Sequence, residues 1–156
     1  MIVLRFAKRI MAFIVVALWI VNLSACRLMD DRVPKTEIFG FVNGNHAKLS
    51  AFVEKYSEPN YEDFQKEFGS TRVVKSVYKR SEITKFSCGG TGLATNSTYV
   101  GFYYSADNVP HSFLFGDVVF TEVSDGVYEW QDERGLHKSH IERICDNWFY
   151  YDEQCY

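Results

Sequence analysis

The sequence predicts an α+β domain in which two short N-terminal helices pack on an antiparallel, mostly meander β-sheet. Three observations carry this. Leu49, Phe52, Val53 and Tyr56 fall at i, i+3, i+4 and i+7, one apolar helical face. Tyr61, Phe64 and Phe68 mark a second short helix stopped at Gly69. From Thr71 onward the apolar residues are mostly β-branched or aromatic, and turn residues punctuate them.

The elements follow in order. Residues 37–42 alternate Ile38, Gly40 and Val42 against Phe39 and Phe41, which predicts a strand. Asn43-Gly44-Asn45 is turn chemistry, and Asn45 is placed to cap the first helix. Ser57-Glu58-Pro59-Asn60 breaks that helix. Val73, Val74 and Val77 favour a strand over a helix, which their spacing also allows, and residues 82–88 predict another strand. Residues 89–97, rich in Gly, Thr, Asn and Ser, read as a loop. Residues 98–104, 112–123 and 127–131 read as strands. Asp125-Gly126 between the last two is a strong hairpin signal. Residues 137–145 fit two readings. Ser139 and Glu142 form a capping box for a helix, while Asp146-Asn147 makes a hairpin turn into Trp148-Phe149-Tyr150-Tyr151. The hairpin is preferred.

The first 26 residues stand apart. Arg5, Lys8 and Arg9 precede an almost wholly apolar run from Ile10 to Leu23, with no acidic residue. That run of 14 residues is below the roughly 18–20 that span a bilayer as a helix. A basic start, a short apolar core and small residues before a cut are the parts of a secretory signal. Leu23-Ser24-Ala25-Cys26 closes the segment, and with it the segment resembles a bacterial lipoprotein signal peptide. The resemblance covers these residues alone. It implies removal of residues 1–25, a lipid-modified Cys26 carrying thioether-linked diacylglycerol with an acyl group such as palmitate on its amino group, and attachment to a membrane. Arg27, where the inner-membrane retention pattern has Asp, implies the outer membrane, facing the periplasm, in an organism that has one. The expected organisation is then signal peptide 1–25, lipidated tether 26–36 and one domain over 37–156.

The chain carries 20 Asp and Glu against 17 Lys and Arg. Cleavage before Cys26 removes three of the cations and leaves a domain of net charge −6. An acidic domain is a poor candidate for nucleic acid, where basic patches supply most of the affinity. It has no polybasic surface for anionic lipid either, so the membrane contact rests on the lipid at Cys26. With 13 Phe, 10 Tyr and 3 Trp, a core is easily built.

Cys88, Cys145 and Cys155 remain after lipidation. Exported thiols tend to pair, and three allow one bridge: Cys145–Cys155, or Cys88 with either of the others. Chemistry-bearing motifs are absent. His137, His140 and Cys145 suggest zinc only loosely, because residues three apart in a strand diverge. Cys88 before Gly89-Gly90 resembles a nucleophile site only weakly. Gly89-Gly90-Thr91-Gly92 lacks the lysine of a phosphate loop, and there is no Gly-x-Ser-x-Gly elbow. No catalytic residue, cofactor or metal is therefore assigned. Exposed aromatics mark binding surfaces, and Tyr103, Trp130, Trp148 and Tyr150 are the candidates. The expectation is a non-catalytic module that binds an envelope or secreted protein, a basic one by charge, such as a hydrolase or toxin to be inhibited. A structural accessory of the envelope and a cell-wall or lipid-modifying enzyme are the alternatives.

Overall fold

The computed structural model describes residues 30–93 and 96–156, and its compact unit runs from Arg32 to Tyr156. The expected signal peptide, Cys26 and Arg27 lie outside the described residues. The class is α+β, but the helical part departs from expectation. Neither helix is N-terminal: α1 spans Lys35–Lys55 and α2 spans Tyr61–Phe68. At 21 residues α1 is also not short, and it absorbs the strand expected over 37–42. Residues 32–36, read as tether, belong to the folded unit. Val33 is buried, and its N–H donates to the Cys88 carbonyl.

The apparent alternation at 37–42 is misleading because Ile38 and Val42 are one helical turn apart. Both are fully buried, together with Leu49 and Phe52. Asn45 is no cap. It sits inside α1, where its Nδ2 donates to the Phe41 carbonyl at 2.8 Å. Gly40 and Gly44 are exposed, with nothing within 4 Å of a built Cβ. Each weakens the helix by about 0.5–1 kcal/mol relative to alanine, so burial of the apolar stripe holds α1 together. Gly40→Ala and Gly44→Ala should each raise unfolding free energy by about 0.5–1 kcal/mol. Chemical denaturation checks this. A loss of stability would mean that a glycine is needed there.

In α2, Asn60 caps the helix by accepting the Asp63 N–H at 3.0 Å. Gly69, at φ +72°, closes it.

Seven strands form one antiparallel sheet: β1 (Ser76–Arg80), β2 (Ile83–Leu93), β3 (Asn96–Ser105), β4 (Thr121–Ser124), β5 (Val127–Gln131), β6 (His137–Cys145) and β7 (Trp148–Cys155). The order is β1-β2-β3-β7-β6-β5-β4. Two meanders are thus joined through β3 and β7, and the expected single meander is corrected on this point. The ambiguous segment at 137–145 is the strand of a hairpin turning at Asp146-Asn147.

Two further segments differ from expectation. Residues 89–93 and 96–97 are strand rather than loop. A bulge between Ser87 and Gly89, with Gly89 at φ +119°, lets the glycine-rich run continue the ladder. Residues 112–120 are irregular rather than strand. Their backbone is held by side chains: Phe113 N–H donates to Glu153, and His111 N–H donates to the Tyr103 hydroxyl at 2.9 Å.

The core has two layers. On one face of the sheet, α1 and α2 cover Phe86, Cys88, Val100, Phe102, Trp148 and Tyr150. Phe86 and Phe102 stack at 4.7 Å, and Phe64 stacks on Phe68 at 4.5 Å. On the other face the 106–120 segment covers Tyr103, Ile141, Phe149 and Tyr151, using Phe113 and Phe120.

Candidate functional site

The helices cover only part of their face of the sheet. Cross-strand pairing sets Glu129, His140 and Asp152 in one row and Gln131, Lys138 and Gln154 in the next. These residues lie beyond the helical cover. With Val119, Thr121 and Val123 they line a shallow concavity of about 650 Å³. Lys35 at the start of α1 pairs with Glu142 and marks its border. His140 stands among carboxylates: Nδ1 is 3.3 Å from Glu129 Oε1 and Nε2 is 3.7 Å from Glu142 Oε2. Val119 is 89% exposed and Val123 is 53% exposed.

Charge is divided between the two halves of the chain. Residues 106–156 hold 11 Asp and Glu against three Lys and Arg, whereas residues 30–105 hold nine against ten. The acidic half contains β4–β7 and lines the open face. This asymmetry is legible in the sequence, yet the whole-chain total conceals it.

The residues expected at a site are placed as follows. Tyr103 and Trp148 are fully buried and Tyr150 nearly so, so none of them offers a surface. They are core because each packs in a ring cluster: Tyr103 stacks on Phe149 at 5.3 Å, Trp148 meets Tyr104 edge-on, and Tyr150 lies against Phe39. Trp130 is half-buried, with its ring 5.0 Å from Phe115.

Cys88, Cys145 and Cys155 are all free thiols. Cys145 and Cys155 sit at opposite ends of the β6–β7 hairpin, roughly 24 Å apart along the strand at about 3.4 Å per residue. Cys88 lies under the helices, three strand positions from Cys145, a lateral separation of about 14 Å. Cys155 pairs with His137, whose side chain stacks on Phe115 from the 106–120 segment, on the face opposite Cys88. Burial pushes the Cys88 thiol well up from its ordinary range, which removes the thiolate that a nucleophile needs. His137 and His140 project to opposite faces. Among the described residues, no group of three His, Cys, Asp or Glu could hold a metal ion.

Under the 106–120 segment lies a polar layer that sequence reasoning missed. Glu153 is fully buried. Its Oε1 accepts from Ser112 Oγ at 2.7 Å, Phe113 N–H at 2.9 Å and Ser139 Oγ at 3.3 Å, and its Oε2 is buried without a hydrogen-bond partner. Lys85, also buried, places its ammonium 4.3 Å from the Phe113 ring centroid and 4.4 Å from that of Tyr151. The period-2 alternation of β2 and β7 fixes this placement. Lys85 and Glu153 share the face of Tyr103 and Tyr151, and only a covering segment buries them.

Burial lowers the Lys85 ammonium to about 8, against an upward pull from Glu153. Between that value and the ordinary value near 10.5, the unfolded chain binds more protons, so stability rises with pH. From pH 8 to 10 the rise from this residue should be about 2–3 kcal/mol. Above pH 10 the trend reverses, because burial raises Tyr103, Tyr150 and Tyr151 and the unfolded chain then loses protons first. Burial raises the Cys88 thiol as well, which opposes the Lys85 rise between pH 8 and 10. Urea unfolding is therefore compared between proteins: from pH 8 to 10 the stability of the wild type relative to Lys85→Met should rise by about 2–3 kcal/mol. An identical slope in both would refute the assignment.

The fold and the site together define an α+β protein with helices on one half of a sheet and, on the other, an open face that carries Glu129, Asp152, Lys138 and His140. No protein-family model, curated protein or solved structure matches the chain. Among the described residues no helix is long and apolar enough to cross a membrane.

Proposed function

We propose that the chain is a lipid-anchored envelope protein that captures a basic protein on the open half of its sheet, without catalysis. The anchor is Cys26, and the membrane is the outer one, with the domain facing the periplasm. A secreted hydrolase or toxin that the protein inhibits or neutralises fits this role. The observation that carries the reading is the charge division along the chain, 11 acidic residues against three basic ones over residues 106–156, of which Glu129, Asp152 and Lys138 line the uncovered face. Opposite charge accelerates encounter and selects the partner. The exposed Val119 and Val123 supply apolar contact within the acidic surround.

Affinity capture from envelope extracts tests this, using the wild-type protein and a Glu129→Lys/Asp152→Lys variant. The expected result is a basic partner held by the wild type, released by salt and lost by the variant. A partner retained equally by both proteins, or held regardless of salt, would overturn the reading.

A further inference from the structure

We infer that the outer edge of β4 receives an extended, cationic segment of the partner as an eighth strand. The inference rests on the capture reading above and adds the mode and chemistry of docking. β4 is the last strand of the sheet and pairs only with β5, so among the described residues no strand covers its other edge. All four of its residues are exposed. An uncovered strand edge is a template for pairing, and proteins ordinarily blunt it with a short strand, a bulge, charged residues, proline or a covering segment. β4 is short and bulged, so the part open to pairing is the run through Glu122. β4 and the run leading into it, Val119–Ser124, contain no lysine and no proline. A bulge between Glu122 and Ser124 bends the far end, but the Thr121–Glu129 and Glu122–Tyr128 pairs before it are regular.

The side chains beside this edge specify the occupant. Val119, Thr121 and Val123 project into the concavity, with Glu129 of the adjoining β5 on the same side, while Lys138 and Asp152 stand farther in on β6 and β7. Phe120 points the other way into the second core layer and anchors the run. Glu122 lies on that other side as well, where its carboxylate accepts the Gly126 N–H at 3.0 Å. An added strand would alternate its side chains between these two faces. One set would meet Thr121 and the valines with Glu129 one strand farther in, and the other would meet Glu122. Extended backbone bearing Lys or Arg and small apolar residues satisfies both faces. Strand addition draws affinity from main-chain hydrogen bonds and specificity from alternate side chains. The opposite edge, β1, carries Lys79 and Arg80 beside Lys75 and would repel the same segment.

The test uses an eight-residue peptide of alternating Lys and Val, the same peptide N-methylated at alternate residues, and an alternating Glu-Val peptide. Binding is followed by fluorescence anisotropy, and backbone amide exchange is followed by NMR on the folded Arg32–Tyr156 unit within the full mature chain. The expected result is binding of the Lys-Val peptide with new protection confined to residues 119–124. N-methylation and Glu122→Lys should each weaken it, N-methylation by at least about tenfold, and the Glu-Val peptide should not bind. Equal binding of the N-methylated peptide, or protection on β1 instead, would overturn the inference. Protection of β4 in the unliganded protein, with a dimer in sedimentation, would also overturn it by assigning the edge to a second copy. A basic partner held in a salt-sensitive way without protection at 119–124 would sink strand addition alone. Failure of every cationic ligand, together with no effect of charge reversal on capture, would sink the capture reading as well.

Discussion

Glu153→Ala is expected to lower the unfolding free energy by about 3–5 kcal/mol, because it strands buried donors at about 1–3 kcal/mol each. Three donors lose their acceptor at once: Ser112 Oγ, the Phe113 N–H and Ser139 Oγ. Lys85 loses the carboxylate that favours its charged form. The consequence is local before it is global. The 106–120 segment has no ladder of its own and is fastened through Phe113 and Phe120 and through Glu153. Amide exchange in this segment should rise more than exchange in β2 or β3. A Tm drop of roughly 10–20 °C is expected for a unit of this size. Glu153→Gln, which keeps one acceptor oxygen in place, should lose substantially less. A change below about 1 kcal/mol for the alanine variant would show that the buried carboxylate does not hold the segment.

Cys26→Ser is expected to abolish lipid attachment and release the protein from membranes. The lipoprotein resemblance assigns the lipid to the Cys26 sulfur, and serine has no thiol to form the thioether. Each buried methylene of an acyl chain contributes about 0.8 kcal/mol of membrane affinity, and on the proposed reading the domain left after cleavage, of net charge −6, depends on that contribution. Metabolic labelling with a palmitate analogue and fractionation of membranes read the outcome. A Cys26→Ser protein that is still labelled and correctly processed would end the lipoprotein reading. Its domain should keep the wild-type Tm, because the compact unit begins at Arg32.

Much of the fold was legible where pattern and burial agree. The apolar stripe from Leu49 to Tyr56, the Asn60–Gly69 brackets of α2, the Asp125-Gly126 turn and the Trp148 strand all follow local rules that the tertiary structure leaves intact. The misses share a different cause. Over residues 37–45, two exposed glycines and an Asn-Gly-Asn run argue against helix, and packing of Ile38 and Val42 overrides them. At 89–93, glycines that read as loop serve a bulge and a continuing strand. At 112–120, aromatic residues that read as strand are the underside of a covering segment, fixed by packing on the second core layer and by a buried carboxylate forty residues away.

The site was less legible. Ranking residues by aromaticity selected Tyr103, Trp148 and Tyr150, which are core because the sheet is covered on both faces in its β3–β7 centre. What distinguishes the open face is the separation of charge along the chain and the end of the helical cover. The first is countable from residues 106–156. The second depends on which strands α1 reaches, and the pairing of β3 with β7 decides that.

The central claim is that the acidic half of the sheet recruits a basic protein by charge. It is tested most directly by the association rate constant of the captured partner, measured against ionic strength for the wild type and for Glu129→Lys/Asp152→Lys. The account predicts a rate that falls by about tenfold or more from low to high salt in the wild type. In the variant the rate should be low and nearly independent of salt. A rate that is the same for both proteins and unmoved by salt would contradict it.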